Sequence, residues 1–297
     1  MESINIAVLI TVFNRVEMTK ACLKALFLVR QPKEKRVKFK IFLTDDGSTD
    51  GTSERIKEHF PINDIQILKG SGDLFWNGGM NNSWRAALKE GSFDGYLWLN
   101  NDSLIYPNLW EEIVDADRFS REKYNKGGIY VGSTCDSKTH KHSYGGFLFL
   151  NKWTLTDHFL IPNGSFQSCH AGHGNITYVS HDVVEQEGVF CDDYVHGGGD
   201  HDYTYLAYKH GFPILVLRAY VGECENDHKG SEVELSNMTL RERFDYVNRP
   251  LGFNLNNTLL FQKRCFPYRY PFVWFMNYFR ILSPKLYYSL YRFIRKV

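Results

Sequence analysis

The chain has 297 residues, enough to bury one large α/β core with a smaller appendage and no more than two domains. Its charged fraction is 23% and its formal net charge is +1, so nothing global calls for nucleic acid or another polyanionic partner. Six cysteines (Cys22, Cys135, Cys169, Cys191, Cys224 and Cys265) contain no C-x-x-C pair, which excludes a zinc ribbon or thioredoxin motif and suits a reduced, cytoplasmic chain. The Met1-Glu2-Ser3 start does not read as a signal peptide, and no apolar run is long enough to span a bilayer.

Ile4 to Val12 is a short Ile- and Val-rich run stopped by Asn14-Arg15, the pattern of a buried parallel strand. A helix is expected next, capped by Asn14 with Glu17 three residues on, burying Met18, Cys22, Ala25, Leu26 and Val29. The alternation continues with strand at Val37–Leu43, helix at Thr52–His59, strand at Ile65–Leu68, helix at Asn81–Lys89 and strand at Tyr96–Leu99. Such alternation predicts βαβ units and a mostly parallel sheet, whose ligands gather beyond the carboxyl ends of the strands. The polar segments Thr11–Arg15, Asp45-Asp46, Lys69–Asp73 and Asn100–Ser103 fall at those ends.

After Gly128 the pattern is mixed. Two glycine- and histidine-rich stretches, His170-Ala-Gly-His173-Gly and His196-Gly-Gly-Gly-Asp200-His-Asp202, suit ligand-facing loops. The His-x-x-His spacing has no cysteine at a matching interval, so it does not specify structural zinc. From Tyr246 onward every charged side chain is basic and interleaved with aromatics, which places a boundary near Asn237: a domain over 1–236 and a helical extension over 237–297.

Three clusters carry chemistry. Thr44-Asp-Asp-Gly-Ser-Thr-Asp-Gly-Thr52 follows a predicted strand; its carboxylates can accept hydrogen bonds from a base or ribose, and the same residues also make a plain strand-to-helix turn. Asn100-Asn101-Asp102 ends the next strand, where a carboxylate can hold an oxygen-coordinated Mg²⁺ or Mn²⁺ beside a diphosphate, or merely shape a turn. Asp200, between a triple glycine and a helix-like run, can deprotonate a hydroxyl or simply cap that helix.

The ordered strings Thr11-Val-Phe-Asn-Arg15, Asp45-Asp-Gly-Ser-Thr-Asp50, Leu99-Asn-Asn-Asp-Ser103 and Gly199-Asp-His-Asp202 resemble the signature of family 2 glycosyltransferases, especially the bacterial rhamnosyltransferase and galactofuranosyltransferase branches. The likeness covers roughly the first 235 residues and implies an α/β fold of the GT-A type. It implies a nucleotide-diphosphate sugar donor, dTDP- or UDP-linked, and a glycan or lipid-linked acceptor. By the same likeness Asp45 binds the nucleobase with Asp46 beside it, while Thr11, Asn14, Arg15 and Asn101 line the nucleoside and diphosphate. Trp76-Asn-Gly78-Gly-Met-Asn81 resembles the family's glycine-rich stretch, a likeness that puts Asp73, Trp76 and Gly78 on the donor, although Asp73-Leu-Phe75 replaces the usual Asn-x-Gly before it and Gly78-Gly79 equally makes a plain helix entry. Asp102 becomes the metal ligand, with Asn100 where a second acid is usual, and His228 of His228-Lys-Gly-Ser231 completes the shell. Asp200 stands at the catalytic-base position, preceded by Gly199 where Glu is usual; Asp202, His173 and His201 are read as positioning or acceptor residues.

The basic, aromatic tail reads either as a subdomain packed on the core or as a peripheral contact with the cytoplasmic face of a membrane. The expected reaction is inverting sugar transfer serving cell-surface polysaccharide or glycolipid synthesis. Its rivals are a catalytically inactive sugar-nucleotide- or glycan-binding protein and a nucleotidyltransferase. The latter needs a glycine-rich, arginine-bearing loop after the first strand, which Thr11-Val-Phe-Asn-Arg15 does not supply.

Overall fold

The computed structural model describes residues 3–33, 36–226, 235–251 and 253–295. Strands β1 (Ser3–Val12), β2 (Arg36–Asp45), β3 (Ile65–Lys69) and β4 (Gly95–Leu99) lie parallel in the order β3-β2-β1-β4. They are joined by α1 (Val16–Phe27), α2 (Thr52–His59) and α3 (Phe75–Glu90). β5 (Leu104–Ile105) and α4 (Leu109–Tyr124) follow, then β6 (Ile129–Cys135), β7 (His142–Tyr144), β8 (Gly146–Asn151), β9 (Thr156–Phe159), β10 (Gln167–Ser168), β11 (Ala171–Gly172) and β12 (Ile176–Ser180). Next come α5 (His181–Glu187), α6 (Gly199–Lys209) and β13 (Ile214–Glu223). β12 enters antiparallel between β4 and β6, and β13 lies parallel to β6, extending the sheet to β10. A small second sheet has the order β11-β8-β9.

The unbroken apolar run of β1 follows from burial on both faces. Ile4, Ile6, Val8, Ile10 and Val12 enter one core with Cys22, Leu23 and Leu26 of α1 and Leu109, Trp110 and Ile113 of α4. Ala7 and Leu9 enter the other with Met80, Trp84 and Ala87 of α3. Each residue alternates sides because the side-chain period of a strand is two, so both helical layers find apolar partners.

Two expected helices differ in detail. α1 starts after Arg15, with no side-chain cap, and buries Thr19, Cys22, Leu23 and Leu26 while Met18 is exposed. Asn14 is not the cap because its backbone takes φ 49° and its side chain turns to the neighbouring loop, accepting from the Thr49 N–H at 2.7 Å. α3 starts at Phe75, six residues before the expected Asn81. The Gly78-Gly79 pair lies inside the helix because α3 presses on β1: a Cβ on Gly79 would sit 2.8 Å from the Thr11 Cβ.

Beyond Leu235 the described chain is helical, with α7 (Leu240–Val247), α8 (Leu255–Cys265), α9 (Tyr270–Leu282) and α10 (Pro284–Arg295). α8 is tied to the sheet domain: Cys265 and Phe266 are buried with Phe147 and Phe149 of β8 and Tyr205 of α6. Among the described residues no helix is long and apolar enough to cross a membrane, and all six cysteines are free thiols.

Candidate active site

The register of the parallel strands brings the ends of β1 and β2 level, with Val12 opposite Asp45, so the loops after them share one rim. Side chains lace the two loops together. Asn14 N–H donates to Ser48 Oγ at 2.9 Å, and Val16 N–H donates to Asp50 Oδ2 at 3.1 Å, which places a carboxylate at the start of α1. Asp45 is consumed within its own turn, accepting from Ser48 N–H at 2.9 Å and from Ser53 Oγ. Asp46 instead faces the next loop, accepting from Gly72 N–H at 2.8 Å and Phe75 N–H at 3.0 Å. A cavity of about 280 Å³ opens there, walled by Phe13, Arg15, Asp46, Phe75, Trp76 and Leu251 among others. The structure thus sets Asp46, rather than Asp45, on this wall. Asp73 and Gly78 also depart from expectation: both face a separate cavity with Arg85 and Asp192, and Asp73 accepts from Ser71 Oγ.

A second cavity of about 310 Å³ adjoins the first, sharing Thr11, Arg15, Trp76, Asn101 and His196. One wall carries Asn100 to Asp102 from the end of β4. Trp76 Nε1 donates to Asn100 Oδ1 at 2.8 Å, and the nearly buried Asn101 donates to Thr19 Oγ1 at 3.0 Å, so this turn is fixed from two sides. Asp102 Oδ2 pairs with the Arg15 guanidinium at 2.9 Å. Its Oδ1 accepts from the Cys224 thiol at 3.7 Å; burial and the Asp102 charge push that thiol up to about 12, so it stays protonated. Among the described residues no three His, Cys, Asp or Glu side chains converge as a metal cage. A single carboxylate with amide oxygens beside it fits a hard divalent ion shared with ligand phosphates, not an all-protein site. His228 lies outside the described residues.

The opposite wall carries Asp200. α6 begins at Gly199 after Gly198, whose φ of 91° suits glycine, so Asp200 occupies the first turn rather than the cap position. Its carboxylate accepts from Gly174 N–H and from His201 N–H, both at 2.9 Å, and its side chain is only 16% exposed. Burial alone would raise its pKa, but the charges of His201 and His173 and the two N–H donors outweigh burial and hold it below the usual carboxylate range. His173 lines the same cavity, and its ring meets that of His201 edge-on at 4.7 Å. His201 stands behind, with its Nε2 4.0 Å from Asp200 and its ring against Phe147.

Asp202 turns away from the cavity. It is 2% exposed and accepts from Tyr194 Oη at 3.0 Å and from Arg264 Nε, at 3.0 Å from each carboxylate oxygen. Its place is therefore in holding α6 against α8, not in meeting an acceptor. Nearby, Asn257 Nδ2 of α8 donates to the carbonyl of Gly197, a cavity residue, at 2.7 Å.

Phe13, Phe75, Tyr144, Asn175, Glu225 and Leu251 also line the two cavities, although no motif in the sequence assigns them a role. Phe75 carries a φ of 53°, rare outside glycine, which no sequence pattern announces. Leu251 comes from the helical extension, so only tertiary packing brings it to the cavity.

Solved structures share this architecture. The mannosyltransferase PcManGT from Pyrobaculum calidifontis, in complex with GDP-Man and Mn²⁺, aligns with a TM-score of 0.52 at 13% identity, over 90% of this chain and 72% of that one. S. aureus TarS 1–349 in complex with UDP-GlcNAc aligns with a TM-score of 0.52 at 15% identity, over 90% and 73%. No curated protein matches the chain. The fold is that of GT-A glycosyltransferases. The model of glycosyl transferase family 2 matches residues 7–187, well over half of the chain, and with the GT-A sheet and its paired cavities this shows that the chain belongs to that family and is a glycosyltransferase.

Proposed function

We propose that the enzyme moves a sugar from a nucleotide-diphosphate donor to a hydroxyl of a glycan or lipid-linked acceptor, with inversion, in building a cell-surface polysaccharide or glycolipid. The observation that carries this reading is the placement of Asp200 and of the Arg15–Asp102 pair on one cavity of about 310 Å³. The adjoining cavity, with Asp46 and the rings of Phe13 and Phe75 on its wall, suits the nucleoside of a dTDP- or UDP-sugar. The diphosphate then falls beside Arg15, whose guanidinium can pair with phosphate oxygens.

Asp200 accepts the proton of the incoming hydroxyl as its oxygen attacks the anomeric carbon, and the diphosphate leaves on the opposite side. Gly174 and His201 fix the carboxylate through their N–H groups. A single displacement of this kind inverts the anomeric centre. Asp102, joined by His228, would hold Mg²⁺ or Mn²⁺, which supplies Lewis-acid neutralisation of the leaving diphosphate. The complexes of PcManGT with GDP-Man and Mn²⁺ and of TarS with UDP-GlcNAc support a nucleotide-sugar donor.

Asp200→Asn preserves shape but removes the basic lone pair. Transfer should fall roughly 10²- to 10⁴-fold while donor affinity holds. Near-normal transfer by this variant, or a product that retains the donor's anomeric configuration, would overturn the mechanism.

A further inference from the structure

The helical extension divides into two unlike parts. α8 is committed to the sheet domain through Arg264, Cys265 and Phe266. α9 and α10 are not: in α9 only Ile281 is fully buried, while Phe272, Phe275, Leu282 and Leu286 are between 57% and 64% exposed. Phe272, Phe275 and Leu282 recur at helical spacing on one side of α9, and Leu286 and Leu290 continue a row along α10. The patch reaches the β8–β9 hairpin, where exposed Trp153 meets Tyr268 edge-on at 5.0 Å and Tyr268 Oη donates to the Lys152 carbonyl at 3.0 Å. Exposed apolar surface of this kind marks a place of contact.

Charge identifies the contact. From Tyr246 to the end the chain carries nine Lys or Arg and no Asp or Glu. Three of them serve the fold: Arg264 pairs with Asp202, Arg269 with Gln262, and Arg280 with Tyr288. Lys263 and Lys285 remain exposed, and the sequence adds Arg292, Arg295 and Lys296. A second copy of this face would set cation against cation. Helices of 13 and 12 residues are too short to span a bilayer but long enough to lie in its interface.

We propose that the outer face of α9 and α10 docks the enzyme on an anionic lipid bilayer, with the phenylalanines and leucines entering the headgroup boundary and the lysines and arginines meeting lipid phosphates. This holds whichever sugar is transferred and whether or not Asp200 is the base, so its failure and failure of the proposed mechanism are separable.

The test is co-sedimentation of the full chain with vesicles of phosphatidylcholine alone and of phosphatidylcholine with phosphatidylglycerol. The protein should pellet with the anionic vesicles, and less so in high salt. Lys285→Glu, which leaves the apolar face intact, should lower the apparent partition coefficient about tenfold or more. The paired exposed change Phe275→Glu with Leu286→Glu should abolish pelleting. On the unaltered protein, lipids brominated in their acyl chains should quench tryptophan fluorescence, since Trp153 and Trp274 are exposed. Equal partition onto neutral and anionic vesicles, wild-type pelleting by the Phe275/Leu286 variant, or no quenching would each overturn the proposal. So would a vesicle-independent dimer that the same variant dissociates.

Discussion

The contact between α6 and α8 gives a quantitative expectation for Arg264→Met. Asp202 is 2% exposed, and loss of the guanidinium leaves it with the Tyr194 hydroxyl and the Cys265 thiol as donors. Removing one partner of a fully buried pair costs about 3–5 kcal/mol. The Arg264 side chain is 37% exposed, so water screens part of the interaction and about 2–3 kcal/mol is the better figure. At ~2.1 cal/mol/K per residue, 297 residues have an unfolding entropy of roughly 0.6 kcal/mol/K. The expected fall in Tm is therefore about 3–5 °C. Asp202→Asn should cost less, because the amide still bonds Tyr194 and the freed guanidinium can reach water. The assay is thermal and urea unfolding of the wild type, both single variants and the double variant. The double variant should be more stable than the summed losses imply by roughly 1–2 kcal/mol. Additivity within about 0.5 kcal/mol would refute the coupling, whatever each single change costs.

Gly174→Ala should lower kcat, because a Cβ there would meet Trp76 at 2.8 Å and the Asp200 Cβ at 3.3 Å; an unchanged kcat would contradict that geometry. The lowered pKa of Asp200 makes its ionised form a stabilising one above the unfolded carboxyl value of about 3.9, a contribution lost as pH falls through the lower folded value. The acid limb of kcat/KM due to this group should therefore lie below the ordinary carboxylate range, and His201→Gln should move it upward in a pH–rate profile. Chelation by EDTA should abolish donor turnover, and Asp102→Ala should impair it more than His228→Ala; full activity in excess chelator would exclude a required metal.

The βαβ order was legible because β1 and β4 are apolar runs, and β2 alternates and then turns apolar, each set between amphipathic stretches, a pattern that local composition writes directly. The start of α3 was not. Gly78-Gly79 reads locally as a helix entry, whereas the pair lies inside the helix, with Gly79 pressed against Thr11. Thr11, Arg15, Trp76, Asn101, Asp102, His173 and Asp200 do meet around one cavity. The adjacent acids were harder. Asp45 and Asp46 are neighbours in sequence, but opposite sides of one strand end send the first into its own turn and the second to the cavity wall. Asp202 is anchored by Arg264, 62 residues away, and nothing local foretells that pairing.

The bond from Asn257 to the Gly197 carbonyl, with Leu251 on the first cavity, bears on where this chain can be cut. The compositional boundary near residue 237 is the tempting place to trim the basic tail for expression. A protein ending there would lose part of the wall of its first cavity, the brace on the loop before α6 and the partner of Asp202. Ending at Phe266 would preserve the ring packed beside Tyr205 but still remove Arg269, which is buried against Gln262. Even a cut in the first turn of α9, beyond Arg269 and ahead of the exposed Phe272, would take Ile281 from its buried cluster with Leu235, Val247 and Leu255, so the extension has to be kept through α9.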